Sequence, residues 1–176
     1  KSLSGGGLHE IKKKGVLKVH TDFNKHPFFK LDRRINLLLY LNKNWKKNYQ
    51  GNLEFWDHEM KKCKKKISPI FNRMVVFSTT DFSNHGHPVP LNCPKDKSRK
   101  SIAIYYFSKG RPVDEIKNNY QKNTTSFKNR ANLKNDVFIK NETIKSYLRS
   151  FKFYQKLKTF EKKFLRIGIS KKKRLK

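Results

Sequence analysis

Short apolar runs separated by glycine, proline, asparagine and aspartate follow one another from Leu8 to Phe107, and this pattern constrains the fold more than any other feature of the sequence. Runs of this length between such breaks are typical of antiparallel strands. The pattern predicts eight strands, near Leu8–Ile11, Val16–His20, Arg34–Leu41, Leu53–Trp56, Ile67–Pro69, Met74–Ser78, Gly86–Val89 and Ser101–Phe107. That number suits a double-sheet jelly roll, so we expect a mainly β (α+β) fold.

Two loop regions carry expectations of their own. We interpret the lysine-rich stretch Lys61–Lys66 as a solvated hairpin loop. His26 and His58 lie in polar loops, where we expect both side chains to be exposed to solvent.

Histidines and an aspartate are spaced so that they could hold one metal ion. His20 and Asp22 form a His-x-Asp pair, and side chains two residues apart on a strand point to the same side of the sheet. The third ligand must come from a distant strand, and His85 or His87 could supply it. Two imidazoles and one carboxylate can hold Fe(II) on one face and leave other positions open. The tripeptide alone is a weak signal, because an isolated histidine usually packs, caps or faces solvent.

Arg99 comes just before Ser101–Phe107, a run of β-branched and aromatic residues that predicts a buried strand. A guanidinium at the mouth of an apolar strand needs an anionic partner, because a buried unpaired charge is very costly. Lys100 should point to the opposite side if the strand is regular. The alternative is that Arg99 is one surface cation among many in a basic chain.

In the order and spacing of these segments, the sequence resembles the iron(II)- and 2-oxoglutarate-dependent oxygenases, specifically their prolyl 4-hydroxylase-like branch. The resemblance covers roughly Ser4 to Arg130. Besides the segments around His85 and Arg99, its most specific parts are Gly5–His9, Leu17–Asn24, Arg33–Asn42, Gly51–Asp57 and Phe71–Phe77. The resemblance implies a double-stranded β-helix, or jelly roll, with C-terminal helices.

His87 would face the same side as His85 if the strand continues, so it could substitute for His85. The resemblance implies a catalytic Fe(II) site formed by His20, Asp22 and His85. It implies an activity in which a dioxygenase hydroxylates an unactivated C–H bond and releases succinate and CO2. The implied substrate is a prolyl residue in a peptide or protein, or a small molecule with a prolyl-like group. Ascorbate is a further candidate cofactor.

The resemblance also implies that Arg99 and Tyr40 bind the distal carboxylate of the co-substrate 2-oxoglutarate. Tyr40 could instead be an ordinary core residue with a hydrated hydroxyl. Leu17 and Ile11 stand where collagen-type relatives carry a tyrosine near the cofactor, which weakens the match to that subgroup.

Three polar residues in the same region have two readings. Arg33, Arg34 and Asn36 could line the cleft, or they could pair with Asp32 and the edge of the sheet.

The formal net charge of +30 raises a different function, binding to nucleic acid or another anionic surface on a jelly-roll scaffold. The basic residues are spread along the chain and accompanied by many asparagines, a composition that an AT-rich genome would also impose. No basic segment with interleaved aromatic residues marks an RNA-binding motif. We therefore keep the basic binding module as the alternative to the enzyme.

We expect an oxygenase core over residues 1–110 and a basic, largely helical extension over residues 111–176. Pro112 and the acidic residues after it favour a helix start, and apolar residues recur at helical spacing between Ile144 and Leu165. That segment would either dock on the sheet or attach to an anionic surface. The chain begins at Lys1 and enters a glycine-rich turn at once, so we expect it to lack the N-terminal part of the domain.

The sequence contains no apolar run long enough to span a bilayer. Its two cysteines, Cys63 and Cys93, have no CxxC spacing, so neither a zinc ribbon nor a redox motif is indicated. We expect two reduced thiols and a cytoplasmic location.

Overall fold

The computed structural model describes residues 6–26, 28–116 and 124–131. The chain divides into two units after Asn132, and all the described residues lie in the first of them. The described residues form nine strands: β1 (Gly7–Lys12), β2 (Leu17–Thr21), β3 (Asp32–Tyr40), β4 (Leu53–Trp56), β5 (Cys63–Ile67), β6 (Met74–Ser78), β7 (His85–His87), β8 (Ser98–Ser108) and β9 (Ser126–Phe127). Short 3-10 turns lie between β3 and β4, at Lys47–Tyr49, and between β8 and β9, at Val113–Glu115.

The strands form two antiparallel sheets, in the orders β1-β8-β3-β6 and β5-β4-β7-β2-β9. Leu38 of β3 pairs with Ala103 of β8, and both side chains are buried between the sheets. Leu53, from β4 of the other sheet, belongs to the same hydrophobic cluster. The two sheets thus pack face to face, and this double-sheet arrangement confirms the predicted jelly-roll fold.

Strand β5 differs from the sequence expectation. The predicted strand Ile67–Pro69 is displaced, and Lys64, Lys65 and Lys66 of the expected hairpin loop lie within β5, at the edge of its sheet. Lys61 and Lys62 precede the strand. Lys66 pairs with Glu54 across the β4–β5 ladder, with Nζ 2.9 Å from Oε1. Lysine is suited to an edge strand because its charge prevents a further strand from adding there.

The exposure prediction holds for one loop histidine and is wrong for the other. His58 is exposed, whereas His26 is buried. The backbone N–H groups of Phe28 and Phe29 both donate to His26 Nδ1 at 3.1 Å. The ring also packs edge to face against Phe107. The His26 ring is therefore covered by neighbouring aromatic residues, although it lies in a loop that is polar in sequence.

The region beyond Arg111 is less helical than expected where it is described. Val113–Glu115 is a 3-10 turn, and β9 pairs its residue Phe127 with His20 of β2. The helical segment predicted between Ile144 and Leu165 lies outside the described residues, and the division at residue 110 stays a prediction. No helix among the described residues has the length and apolar character to cross a membrane. Cys63 and Cys93 are both free thiols.

Gly86 allows β2 and β7 to approach closely. A Cβ at this position would lie 2.7 Å from the carbonyl oxygen of Lys18 and 2.8 Å from that of Leu17. We expect Gly86→Ala to lower the free energy of unfolding by about 3 kcal/mol, because backbone atoms cannot move aside easily. Gly110→Ala is the matched control: its φ is +79° with no atom within 4 Å, so only backbone strain of about 1 kcal/mol is expected. Equal shifts in thermal unfolding would contradict the close approach.

Candidate metal centre

The first feature of the site is a convergence of three side chains. His20 on β2 and His85 on β7 face each other in the antiparallel register, and Asp22 directly follows β2. His20 Nε2 lies 3.7 Å from Asp22 Oδ1, and His85 Nε2 lies 3.5 Å from Asp22 Oδ2. One ligand atom from each residue falls within 4.8 Å of the other two. The structure thus brings together the three residues that the sequence offered as metal ligands.

Backbone carbonyls fix the tautomer of both histidines. His20 Nδ1 donates to the carbonyl of Lys18 at 2.8 Å, and His85 Nδ1 donates to the carbonyl of Ser83 at 2.8 Å. A carbonyl oxygen can only accept, so the proton of each neutral ring is on Nδ1 and the lone pair is on Nε2. Metal-binding histidines usually have their second nitrogen anchored in this way. Both Nε2 lone pairs then face the carboxylate. Three electron-pair donors that converge in this way are suited to binding a cation.

Burial sets the charge of the ligands. Burial lowers the pKa of His85 to about 4, and the neighbouring imidazole of His20 acts in the same direction. Burial alone would raise the pKa of Asp22, but the two imidazoles and the Arg33 guanidinium lower it more, so it lies below its ordinary range. At neutral pH, His85 is neutral and Asp22 is ionised, as a site for a divalent metal requires.

Arg33 and Asn36 hold the carboxylate in place. Arg33 Nη2 donates to Asp22 Oδ2 at 2.9 Å, and Asn36 Nδ2 donates to the same oxygen at 3.1 Å. Arg33 is fully buried, and its guanidinium lies 3.5 Å from the ring centroid of Tyr105 and 4.3 Å from that of Phe23. The register of β3 shifts just after Arg33, so residues three apart act on one oxygen.

These contacts decide, for each polar residue of β3, whether it faces the cleft or pairs at the edge of the sheet. Arg33 and Asn36 reach Asp22, whereas Arg34 forms an ion pair with Glu115 at 2.8 Å. A regular strand would place positions 33 and 36 on opposite faces, so strand periodicity gave no signal for their shared contact.

Arg99 and Tyr40 form a second polar feature between the sheets. Arg99 is buried; its Nε donates to the carbonyl of Gly51 at 2.9 Å, and its Nη2 donates to the Tyr40 hydroxyl at 3.2 Å. Burial lowers the pKa of Arg99 and raises that of Tyr40. Arg99 forms no ion pair with any carboxylate of the described residues, whereas Lys100 is exposed and lies 4.0 Å from Glu10. A buried cation whose protein partners are neutral is suited to an anionic ligand.

Two further histidines, on β1 and β7, had no predicted role beside Arg99. His9 on β1 pairs with Ser101, and its pKa is lowered by burial and by the charge of Arg99, although solvent reaches the side chain. His87 is buried on β7 but does not belong to the group of converging ligands, which contains His85. For each of these two histidines, the alternation of side chains along its strand was the only signal in the sequence of the side of the sheet on which it lies.

Comparison with known protein families gives a match for this chain. The family model described as the 2OG-Fe(II) oxygenase superfamily matches residues 6–107. No curated protein sequence gives a significant match.

Three solved structures are similar to parts of the chain. A prolyl hydroxylase from Trichoplax adhaerens, in complex with a peptide fragment of the hypoxia inducible factor oxygen degradation domain, is 25% identical, with a TM-score of 0.45, over 57% of this chain and 41% of that one. A prolyl 4-hydroxylase from Phytophthora capsici is 24% identical, with a TM-score of 0.41, over 56% and 30%. One from Pseudomonas putida is 17% identical, with a TM-score of 0.42, over 60% and 52%. The chain therefore spans about half or less of the length of these proteins.

Proposed function

Because the chain belongs to the 2OG-Fe(II) oxygenase superfamily, we propose that it acts as an Fe(II)- and 2-oxoglutarate-dependent dioxygenase. In this proposal His20, Asp22 and His85 hold Fe(II), and Arg99 with Tyr40 binds the distal carboxylate of 2-oxoglutarate. The observation that carries it is the buried Arg99, which forms no ion pair with a carboxylate of the described residues. A dicarboxylic co-substrate supplies the anion that this cation requires.

Fe(II) bound at this centre would supply activation of O2 and oxidative decarboxylation of 2-oxoglutarate to succinate and CO2. The protein's part is to orient and shield. Arg33 and Asn36 fix Asp22 Oδ2, which keeps the carboxylate from rotating away from the two Nε2 atoms. Phe77 packs against the His85 ring at 4.6 Å between centroids. Such an apolar wall limits the access of water to the centre.

We further propose that the hydroxylated group is prolyl. This finer step rests on the sequence segments that resemble the prolyl 4-hydroxylase-like branch, and it extends to a peptide, a protein or a small molecule with a prolyl-like group. The rings of Phe23 and Tyr105 contact the Arg33 guanidinium, which holds the Asp22 carboxylate, and both side chains are partly exposed beside the centre. Ascorbate stays a candidate reductant on the resemblance alone.

The test is succinate formation by the purified chain with Fe(II), 2-oxoglutarate and O2, across a panel of proline-containing peptides. We expect succinate to form only when both iron and O2 are present, and one peptide to gain one oxygen atom in mass. Asp96→Ala, which removes an exposed carboxylate away from the centre, serves as the matched control and should leave the rate unchanged. Absence of succinate under all conditions, with salt-dependent binding to a polyanion, would favour the basic binding module instead.

A further inference from the structure

His87 is a buried polar residue that the proposed function leaves without a role. It lies on β7 two residues after His85, so the two imidazoles point to the same side of the sheet. Its side chain is 1% exposed. Buried polar atoms are nearly always hydrogen-bonded, so each nitrogen of this ring calls for a partner.

The two ring nitrogens of His87 have different surroundings. The backbone N–H of Leu17 donates to Nδ1 at 3.3 Å, so Nδ1 holds the lone pair and Nε2 carries the proton. Nε2 is buried and has no hydrogen-bond partner among the described residues. His87 therefore presents one buried N–H donor that lacks an acceptor.

The sheet register places this donor between the metal centre and Arg99. Phe55 of β4 pairs with His85, and the same register continued by two residues brings Leu53 opposite His87. Gly51, two residues before Leu53, accepts the hydrogen bond from Arg99 Nε. His87 lies two positions beyond His85, a distance of roughly 6.6 Å along the strand. A molecule that reaches from the metal centre to Arg99 therefore passes beside His87.

We propose that His87 Nε2–H donates a hydrogen bond to the distal carboxylate of 2-oxoglutarate, as a third donor beside Arg99 and Tyr40. This inference rests on the proposed function. A carboxylate has two oxygens with about four acceptor positions, so it can accept from all three donors. The consequence is selectivity for a dicarboxylic co-substrate, because a 2-oxo acid without the distal carboxylate leaves buried donors unpaired.

Two substitutions separate the roles of the two nitrogens. In His87→Asn the side-chain oxygen can replace Nδ1 as the acceptor for Leu17, but the side chain is too short to replace the Nε2 donor. In His87→Gln the amide N–H can reach the Nε2 position, and the Leu17 N–H loses its acceptor. We expect His87→Asn to weaken binding of 2-oxoglutarate about 10-fold or more, and His87→Gln to weaken it less.

The measurement is calorimetric titration of 2-oxoglutarate into each Mn(II)-loaded protein, with binding of Mn(II) itself as the control for the metal centre. A parallel titration with 2-oxovalerate, which has the same five-carbon chain without the distal carboxylate, should give equal affinities for wild type and His87→Asn. Equal 2-oxoglutarate affinity in wild type and His87→Asn, or an equal loss for both acids, would overturn the contact. A reversed order, with His87→Gln the weaker binder, would assign His87 a structural role through Leu17. Failure of the Mn(II)-loaded wild type to bind 2-oxoglutarate would instead overturn the proposed function.

Discussion

Replacing Asp22 with alanine is expected to abolish metal binding and to lower the free energy of unfolding by about 3–5 kcal/mol. The first effect follows because Asp22 is the one carboxylate among the three converging ligands of the described residues. The second follows because Arg33 is fully buried and would be left without its charged partner. Chemical denaturation of the metal-free protein measures the stability, and titration with Mn(II) measures metal binding.

Asp22→Asn separates these two effects. The amide oxygen can still accept from Arg33, so most of the stability should return, while the loss of the negative charge should keep metal binding weak. His20→Ala should also remove metal binding with a smaller loss of stability, and His58→Ala, at an exposed histidine, is its control. Normal Mn(II) binding by Asp22→Ala would exclude the proposed metal centre, and unchanged stability would contradict the pairing with Arg33.

Arg99→Ala is expected to weaken binding of 2-oxoglutarate by about 30-fold or more while metal binding persists. The reason is that the distal carboxylate loses a buried, charge-assisted partner, which costs about 2–5 kcal/mol. Lys100→Ala is the matched control, because Lys100 is the next residue of β8 and is exposed. Titration of 2-oxoglutarate into both variants with Fe(II) present gives the comparison. Equal, mild effects would make Arg99 a structural cation and move the anion site elsewhere.

Most strand positions could be predicted from the sequence, because apolar alternation and chain breaks indicate where strands begin and end. The predicted Leu53–Trp56 and Met74–Ser78 coincide with β4 and β6. Strand periodicity predicted that His20 and Asp22 lie on one side of the sheet, and the two side chains do converge although β2 ends at Thr21. The position of His85 opposite them depends on which strands pair, and there the family resemblance supplied what periodicity could not.

Other parts of the site depend on three-dimensional detail that no local pattern encodes. The register shift after Arg33 brings Arg33 and Asn36 to one oxygen, and such an irregularity leaves no trace in an alternation of polar and apolar residues. His87 shares its side of β7 with His85, so its sequence position is equally compatible with metal binding. Only the hydrogen bond from Leu17 reveals which of its nitrogens carries the proton.

The most direct measurement is an anaerobic calorimetric titration of 2-oxoglutarate into the chain, with and without Fe(II). The central claim is that Fe(II) at His20, Asp22 and His85 and the buried Arg99 together form one co-substrate site. It predicts one 2-oxoglutarate bound per chain, with an affinity that depends on Fe(II) and is lost in His20→Ala. Equal binding in the presence and absence of the metal, or no binding to the Fe(II)-loaded chain, would contradict it.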